Sequence, residues 1–139
     1  MIKVMALVAI SFLSLLQGPP SLNEVSVDQE FVLRPGQEVA IENTRIRIVF
    51  DSVPEDTRCP KDVQCVWAGN GKVKLALKKS KKKSIPVIVN TGMEPREVEY
   101  RGYRVKLIKL SPEAKAGEMI PASEYEVTLR VSRANEVKR

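Results

Sequence analysis

The chain has 139 residues and a formal net charge of +6, with 23 Lys and Arg residues against 17 Asp and Glu residues. This length suits one domain with a buried core, and the modest positive charge does not choose between nucleic acid, lipid headgroups and acidic polymers. The sequence contains no histidine, which excludes Ser–His and Cys–His triads, histidine-ligated metals and the commonest general base.

Residues 1–20 have the pattern of a targeting segment. Lys3 gives a positive start, and the apolar run Val4–Leu16 is shorter than the roughly 20 residues that a membrane-spanning helix needs. We therefore expect a signal peptide or an uncleaved N-terminal anchor, and export to the periplasm, the cell surface or the medium. The alternative is a buried N-terminal helix or strand.

After this segment, apolar and polar residues alternate with a period of two. The alternation predicts strands over Arg45–Asp51, Lys72–Lys78 and Glu124–Ser132. In the last of these, one face carries the apolar residues Tyr125, Val127, Leu129 and Val131. Such a pattern is typical of a sheet with one buried and one solvated face.

Less regular segments predict further strands. Glu30–Leu33 and Glu38–Ile41 flank the turn signal Pro35-Gly36, and Ser84–Asn90 forms another strand. The latter contains Pro86, which cannot donate to a strand ladder and therefore indicates an edge strand or a bulge.

Two more strands, Val98–Tyr100 and Tyr103–Leu110, flank Arg101-Gly102, which we interpret as a short hairpin turn. The apolar phase slips between Leu107 and Ile108, as a β-bulge or a local twist would produce.

Seven to eight short strands predict an all-β domain over residues 21–139, an antiparallel sandwich of the immunoglobulin-like type. A partly open barrel is the alternative. Ser111–Ser123 is the longest predicted loop, and residues 133–139 form a polar tail that we expect to be frayed.

Both cysteines and the only tryptophan lie in the segment Arg58–Gly69. Export from the reducing cytosol favours a disulfide between Cys59 and Cys65, closing a ring of about seven residues. If Cys65 begins a strand, it shares a face with Trp67, and the indole then packs on the disulfide.

The disulfide has two interpretations, which do not exclude each other. In the first it is purely structural, and Trp67 fills the core beside it. In the second it presents a rigid recognition loop, Pro60, Lys61, Asp62, Val63 and Gln64, to an extracellular or envelope protein, including inhibition of an extracellular protease.

Redox and metal chemistry fit the sequence less well. Five residues separate the cysteines, unlike a Cys-x-x-Cys redox motif, and two cysteines without histidine do not complete a zinc site. Four carboxylates lie close in sequence without the spacing of an EF-hand loop: Asp51, Glu55, Asp56 and Asp62. We expect no catalytic residue, no metal and no cofactor, and hence a protein that is not an enzyme.

One charge run carries Lys78, Lys79, Lys81, Lys82 and Lys83 between two predicted strands, which places it at a hairpin tip. These lysines are candidates for binding anionic lipid or acidic polysaccharide. The alternative is a solvated turn that protects neighbouring strand edges. No aromatic residue lies nearby to stack on bases, so we expect no nucleic-acid partner.

The segment Arg58–Gly69 also resembles a family of proteins. It has the pattern Arg-Cys-Pro-x-x-Val-x-Cys-x-Trp-Ala-Gly, which is similar to that of small exported prokaryotic β-proteins of unassigned function. The similarity extends to Phe31–Gln37 and, more weakly, to Tyr125–Leu129. The resemblance implies an exported β-fold and supplies no activity.

Overall fold

The computed structural model describes residues 23–135, which form a sandwich of two β-sheets. The predicted targeting segment, residues 1–20, lies outside the described residues. Nine strands run along these described residues: β1 Glu24–Val25, β2 Glu30–Leu33, β3 Glu38–Ile41, β4 Ile46–Asp56, β5 Gly71–Lys79, β6 Ile85–Asn90, β7 Glu97–Tyr100, β8 Tyr103–Ser111 and β9 Glu126–Arg133. A short 3₁₀ turn at Ala122–Glu124 precedes β9.

The strands are neighbours in space largely in the order in which they follow along the chain. One sheet has the order β1-β3-β4-β5-β6 and the other β2-β9-β8-β7, and β1 with β3 is the one parallel pair in the two sheets described. The prediction of an all-β sandwich is confirmed. Hairpins join β3 to β6 within one sheet and β7 to β9 within the other, whereas β2 pairs with β9 and the chain crosses between the sheets at β1–β2, β2–β3 and β6–β7.

The core lies between the inner faces of the two sheets and is almost entirely aliphatic. The alternation in β4, β5 and β9 determines which residues point inward, because successive side chains of a strand face opposite sides. The fully buried side chains are Ile41, Ile48, Phe50, Val73, Leu75, Leu77, Val89, Val105, Val127, Leu129 and Val131. Phe50 is thus the one aromatic ring in this set, and aliphatic side chains supply the rest.

Local turn chemistry places the strands as the sequence predicts. Arg101 and Gly102 both have positive φ, 47° and 84°, and form the two-residue hairpin turn between β7 and β8. Pro86 lies in β6, at the edge of the five-stranded sheet, as predicted. The predicted tail begins too early, because Arg133 ends β9 and the Ala134 N–H donates to the Gly102 carbonyl at 2.9 Å.

The predicted phase slip in β8 is a β-bulge. Leu107 pairs with Leu129 and Lys109 with Thr128, so Ile108 is the extra residue. The bulge keeps Leu107 and Leu110 buried, at 5% and 4% exposure, while Ile108 is 40% exposed.

Adjacent truncations should therefore have unequal effects. We expect Leu107→Ala to lower the free energy of unfolding by about 2–4 kcal/mol, because it leaves a cavity, and Ile108→Ala by less than about 1 kcal/mol. Urea denaturation followed by circular dichroism measures both values. Equal losses would place the bulge elsewhere in β8.

Candidate functional site

Three long connections meet at one end of the sandwich, which we call the cysteine end. They are the cysteine loop (residues 57–70, between β4 and β5), the β6–β7 loop (residues 91–96) and the β8–β9 loop (residues 112–125). The neck of the cysteine loop is closed by backbone hydrogen bonds from Thr57 N–H to Asn70 O, 2.7 Å, and from Cys59 N–H to Ala68 O, 3.2 Å.

A disulfide joins Cys59 and Cys65, whose Cα atoms are 5.9 Å apart. The predicted pairing is confirmed, and the described chain has no free cysteine. Disulfides persist in oxidising compartments, so this bond is consistent with a protein that works outside a reducing cytosol.

Trp67 does not fill the core, and this part of the prediction is wrong. Residues 65–70 are loop rather than strand, since β5 begins at Gly71. Trp67 is 82% exposed and Val66 91% exposed, while Cys65 itself is exposed. The indole is therefore outside the core.

The reason lies in the path of the loop neck. Gly69 adopts a positive φ of 69°, and a Cβ at this position would overlap the Thr57 carbonyl. This tight return carries the chain directly into β5, so Val66 and Trp67 stay on the outer part of the loop. Only glycine fits this position without strain.

Two residues of the predicted recognition loop are bound to the β8–β9 loop. The Lys61 N–H donates to the Ala114 carbonyl at 2.9 Å, and its ammonium lies 3.2 Å from Glu113. The Asp62 carboxylate accepts a hydrogen bond from the Ala116 N–H at 3.0 Å. Pro60 packs partly buried beside them, whereas Val63 and Gln64 are exposed.

Arg58 is the most heavily bonded side chain of the cysteine end. Its Nε and Nη2 donate to the two oxygens of Asp56, both at 2.8 Å. Its Nη1 donates to the Leu110 carbonyl and its Nη2 to the Pro112 carbonyl, both at 2.9 Å. One guanidinium thus joins β4, β8 and the β8–β9 loop.

The Asp56 carboxylate also accepts a hydrogen bond from the Tyr125 hydroxyl at 2.8 Å. The side-chain hydrogen bonds from Arg58 hold the pKa of Asp56 below its ordinary value of 3.8. Burial and the hydrogen bond to the carboxylate raise the pKa of Tyr125 to about 12. Each member of this trio is therefore hydrogen-bonded to another member.

A second polar cluster links the cysteine loop to the β6–β7 loop. The buried Asn70 donates from Nδ2 to Asn90 Oδ1 at 2.9 Å and accepts from the Gly92 N–H at 2.9 Å. Asn90 donates in turn to the Pro95 carbonyl at 3.1 Å. Buried amides with matched partners rigidify the elements that they join.

An open cleft of about 720 Å³ lies between the end of β4, the cysteine loop and the β8–β9 loop. Asp56, Arg58 and Tyr125 line this cleft together with Met119 and Ile120. Asp56, Arg58 and Tyr125 are bonded to one another, and the charged residues Lys115 and Glu118 also line the cleft.

The four carboxylates considered for calcium have separate partners. Asp51 accepts from Ser52, Glu55 pairs with Lys72 at 2.8 Å, and Asp62 binds the Ala116 N–H. Within residues 23–135, no group of three or more His, Cys, Asp or Glu side chains is placed to hold a metal ion. In the same range, no helix has the length and apolar character needed to cross a membrane.

The lysine run lies at the opposite end of the sandwich. Lys78 and Lys79 are the last residues of β5, and Lys81, Lys82 and Lys83 follow in the β5–β6 connection. The hairpin prediction is confirmed, although Lys78 points to Glu38, at 3.4 Å, rather than to the tip.

Sequence reasoning missed Arg58, Tyr125 and the two asparagines as parts of this end. Arg58 precedes Cys59 in the motif, and Asn70 stands between two glycines. The sequence shows these residues in distinctive positions, but it does not show their hydrogen-bond partners Leu110, Pro112 and Asn90, which lie 20 to 54 residues away along the chain.

No family model, curated protein or solved structure matches this chain. A function for the protein is therefore inferred from the geometry of the cysteine end.

Removing the disulfide should cost modest stability. We expect Cys59→Ser combined with Cys65→Ser to lower the free energy of unfolding by about 2 kcal/mol, as a seven-residue ring predicts from chain entropy. Thermal denaturation monitored by calorimetry, with the wild type under reducing and non-reducing conditions, measures the loss. No difference between the two conditions would mean that the hydrogen-bonded neck alone fixes the loop.

The Asp56 carboxylate should make stability fall in acid. Because its pKa is lowered in the folded state, its stabilising effect is complete above about pH 5 and is lost as the pH falls through the lowered pKa. We expect Asp56→Asn to lower the free energy of unfolding by about 1.5–3 kcal/mol at pH 7. The difference from the wild type should shrink between about pH 5 and 2.

Asp51→Asn is the matched control, since Asp51 is exposed on the same strand; its effect should stay within about 0.5 kcal/mol. Urea denaturation at each pH gives the values. If the difference in free energy of unfolding between the wild type and Asp56→Asn stays constant with pH, the assigned role of Asp56 is contradicted.

Proposed function

We propose that the chain is an exported, non-catalytic β-sandwich module that binds an extracellular or envelope protein through the cysteine end. The observation that carries this proposal is the exposure of Trp67, at 82%, on a loop closed by a disulfide. Tryptophan is the side chain most enriched among residues that dominate protein interfaces.

The rigidity of the loop supports this proposal. The disulfide, the Arg58 contacts and the Asn70–Asn90 hydrogen bond fix the cysteine loop before any partner arrives. A loop that is already ordered loses less conformational entropy on association, so more of its contact energy appears as affinity.

The contact residues differ from those that the sequence suggested. Val66 and Trp67 provide the apolar centre, with the half-exposed Val63 at its margin. Lys61 and Asp62 hold the loop against the β8–β9 loop and so have a supporting role. Inhibition of a protease is the narrower form of this proposal, in which the partner is an enzyme.

The engaged polar groups of the cysteine end support the absence of catalysis. Asp56 and Tyr125, the titratable groups with shifted pKa values here, are bonded to each other and to Arg58. Neither presents an unpaired base or nucleophile to the cleft.

The first experiment identifies the partner by photocrosslinking from one position of the cysteine loop. A photoreactive phenylalanine analogue in place of Val66 should crosslink to one partner in the envelope fraction of the native host. The same analogue in place of Ile85, which is 48% exposed at the opposite end, is the control. Equal crosslinking from both positions would contradict the proposal.

Affinity for the purified partner is then measured by calorimetry. We expect Trp67→Ala to weaken binding by about 30-fold or more. Its free energy of unfolding should change by less than about 0.5 kcal/mol, because the indole is largely solvated. An unchanged dissociation constant, or a loss of stability equal to the loss of affinity, would assign Trp67 a structural role.

A further inference from the structure

Three hairpin tips meet at the end of the sandwich opposite the cysteine loop. They are the β3–β4 connection (residues 42–45), the β5–β6 connection (residues 80–84) and the turn Arg101-Gly102. The Ser80 N–H donates to the Arg45 carbonyl at 3.0 Å, which joins the first two tips. Arg45, Lys79 and Arg101 line one open cleft of about 450 Å³, which brings in the third.

These tips concentrate positive charge from both sheets. We call them the basic end, defined by Arg45, Lys79, Lys81, Lys82, Lys83 and Arg101. None of the six forms a salt bridge within residues 23–135, whereas Lys78 and Arg47, on the neighbouring sheet face, pair with Glu38. Glu42 lies within the β3–β4 tip and Glu24 lines a cleft with Arg45, so the six cations outnumber these two acidic residues.

The tips hold these charges on an ordered backbone. The Thr44 hydroxyl donates to the Ile41 carbonyl at 2.8 Å and accepts from the Ile46 N–H at 3.1 Å, which fixes the loop before Arg45. The Lys82 N–H donates to the Lys79 carbonyl at 3.0 Å. The cationic surface is therefore largely formed in advance.

The N-terminal segment decides which anionic surface is in reach. Its apolar run ends at Leu16, eight residues before Glu24, and an extended chain of that length spans at most roughly 28 Å. Glu24 lines the same cleft as Arg45, Lys81 and Lys82. If the apolar run inserts into a membrane, the linker therefore keeps the basic end close to the surface of that membrane. No segment of the chain would hold the basic end close to a soluble anionic polymer in the same way.

We propose that, with the N-terminal segment retained as an anchor, the basic end docks on the anionic lipid headgroups of the membrane that holds this segment. In this orientation the cysteine end points away from the lipid. β5 runs from one end of the sandwich to the other and is about 27 Å long, so Trp67 stays in water. This proposal is independent of protein recognition by the cysteine end.

The test compares binding of the full chain to vesicles of 30:70 phosphatidylglycerol and phosphatidylcholine with binding to phosphatidylcholine alone. The test variant is Lys81→Gln with Lys82→Gln and Lys83→Gln. The control variant removes the same charge elsewhere, through Lys106→Gln, Lys109→Gln and Lys115→Gln, all exposed residues outside the basic end. The shared N-terminal segment contributes equally to each and cancels in the ratios.

We expect the test variant to bind the anionic vesicles about 100-fold more weakly than the wild type, because each lysine near an anionic surface contributes about fivefold. The control should differ from the wild type by only a few-fold, and raising the salt to about 0.5 M should remove the wild-type advantage. Thermal denaturation verifies that both variants are folded.

Trp67 reports the orientation, because it is the only tryptophan in the sequence. We expect its emission to be unshifted on bound vesicles and unquenched by brominated lipid. A blue shift with quenching would overturn the proposal, since the cysteine end would then enter the membrane. Equal losses in the test and control variants, no preference for anionic vesicles, or stronger binding to soluble polygalacturonate than to vesicles would also overturn it.

Discussion

The guanidinium of Arg58 is the contact on which the arrangement of the cysteine end depends. It binds Asp56 in one sheet and the Leu110 carbonyl in the other, so a single planar group closes the gap between the two layers. A bidentate ion pair of this kind is geometrically specific as well as strong. The disulfide begins at the next residue, and the cysteine loop is therefore built on a fixed base.

The contacts of Arg58 explain how Trp67 can be solvent-exposed on a loop that is nevertheless ordered. The core is filled by aliphatic side chains together with Phe50 and Tyr125, and the chain turns at Gly69 directly into β5. The cost of solvating Trp67 is offset by contacts made elsewhere, at Arg58 and at the Asn70–Asn90 pair. Sites that bind partners are commonly carried by loops on a rigid scaffold.

The sequence predicted those features that neighbouring residues determine. Alternation in Glu124–Ser132 identified the buried residues of β9, and Arg101-Gly102 identified the β7–β8 turn, because both depend on adjacent positions. The surroundings of Trp67 and Arg58 could not be predicted in this way. Arg58 binds residues 52 and 54 positions away, and Asp56 binds one 69 positions away, and no local period encodes such pairings.

The strand order also has a consequence for how the chain is completed. Every hairpin from β3 to β6 and from β7 to β9 pairs strands that are adjacent along the chain, but β2 pairs with β9, matching Glu30 to Arg130 and Leu33 to Val127. In a polypeptide that emerges from its N-terminus, β2 is among the first strands made and its ladder partner is the last. The four-stranded sheet is thus complete only after synthesis has reached β9. Until then the backbone N–H and C=O groups of β2 that bond to β9 have no strand partner, because that partner lies nearly a hundred residues downstream.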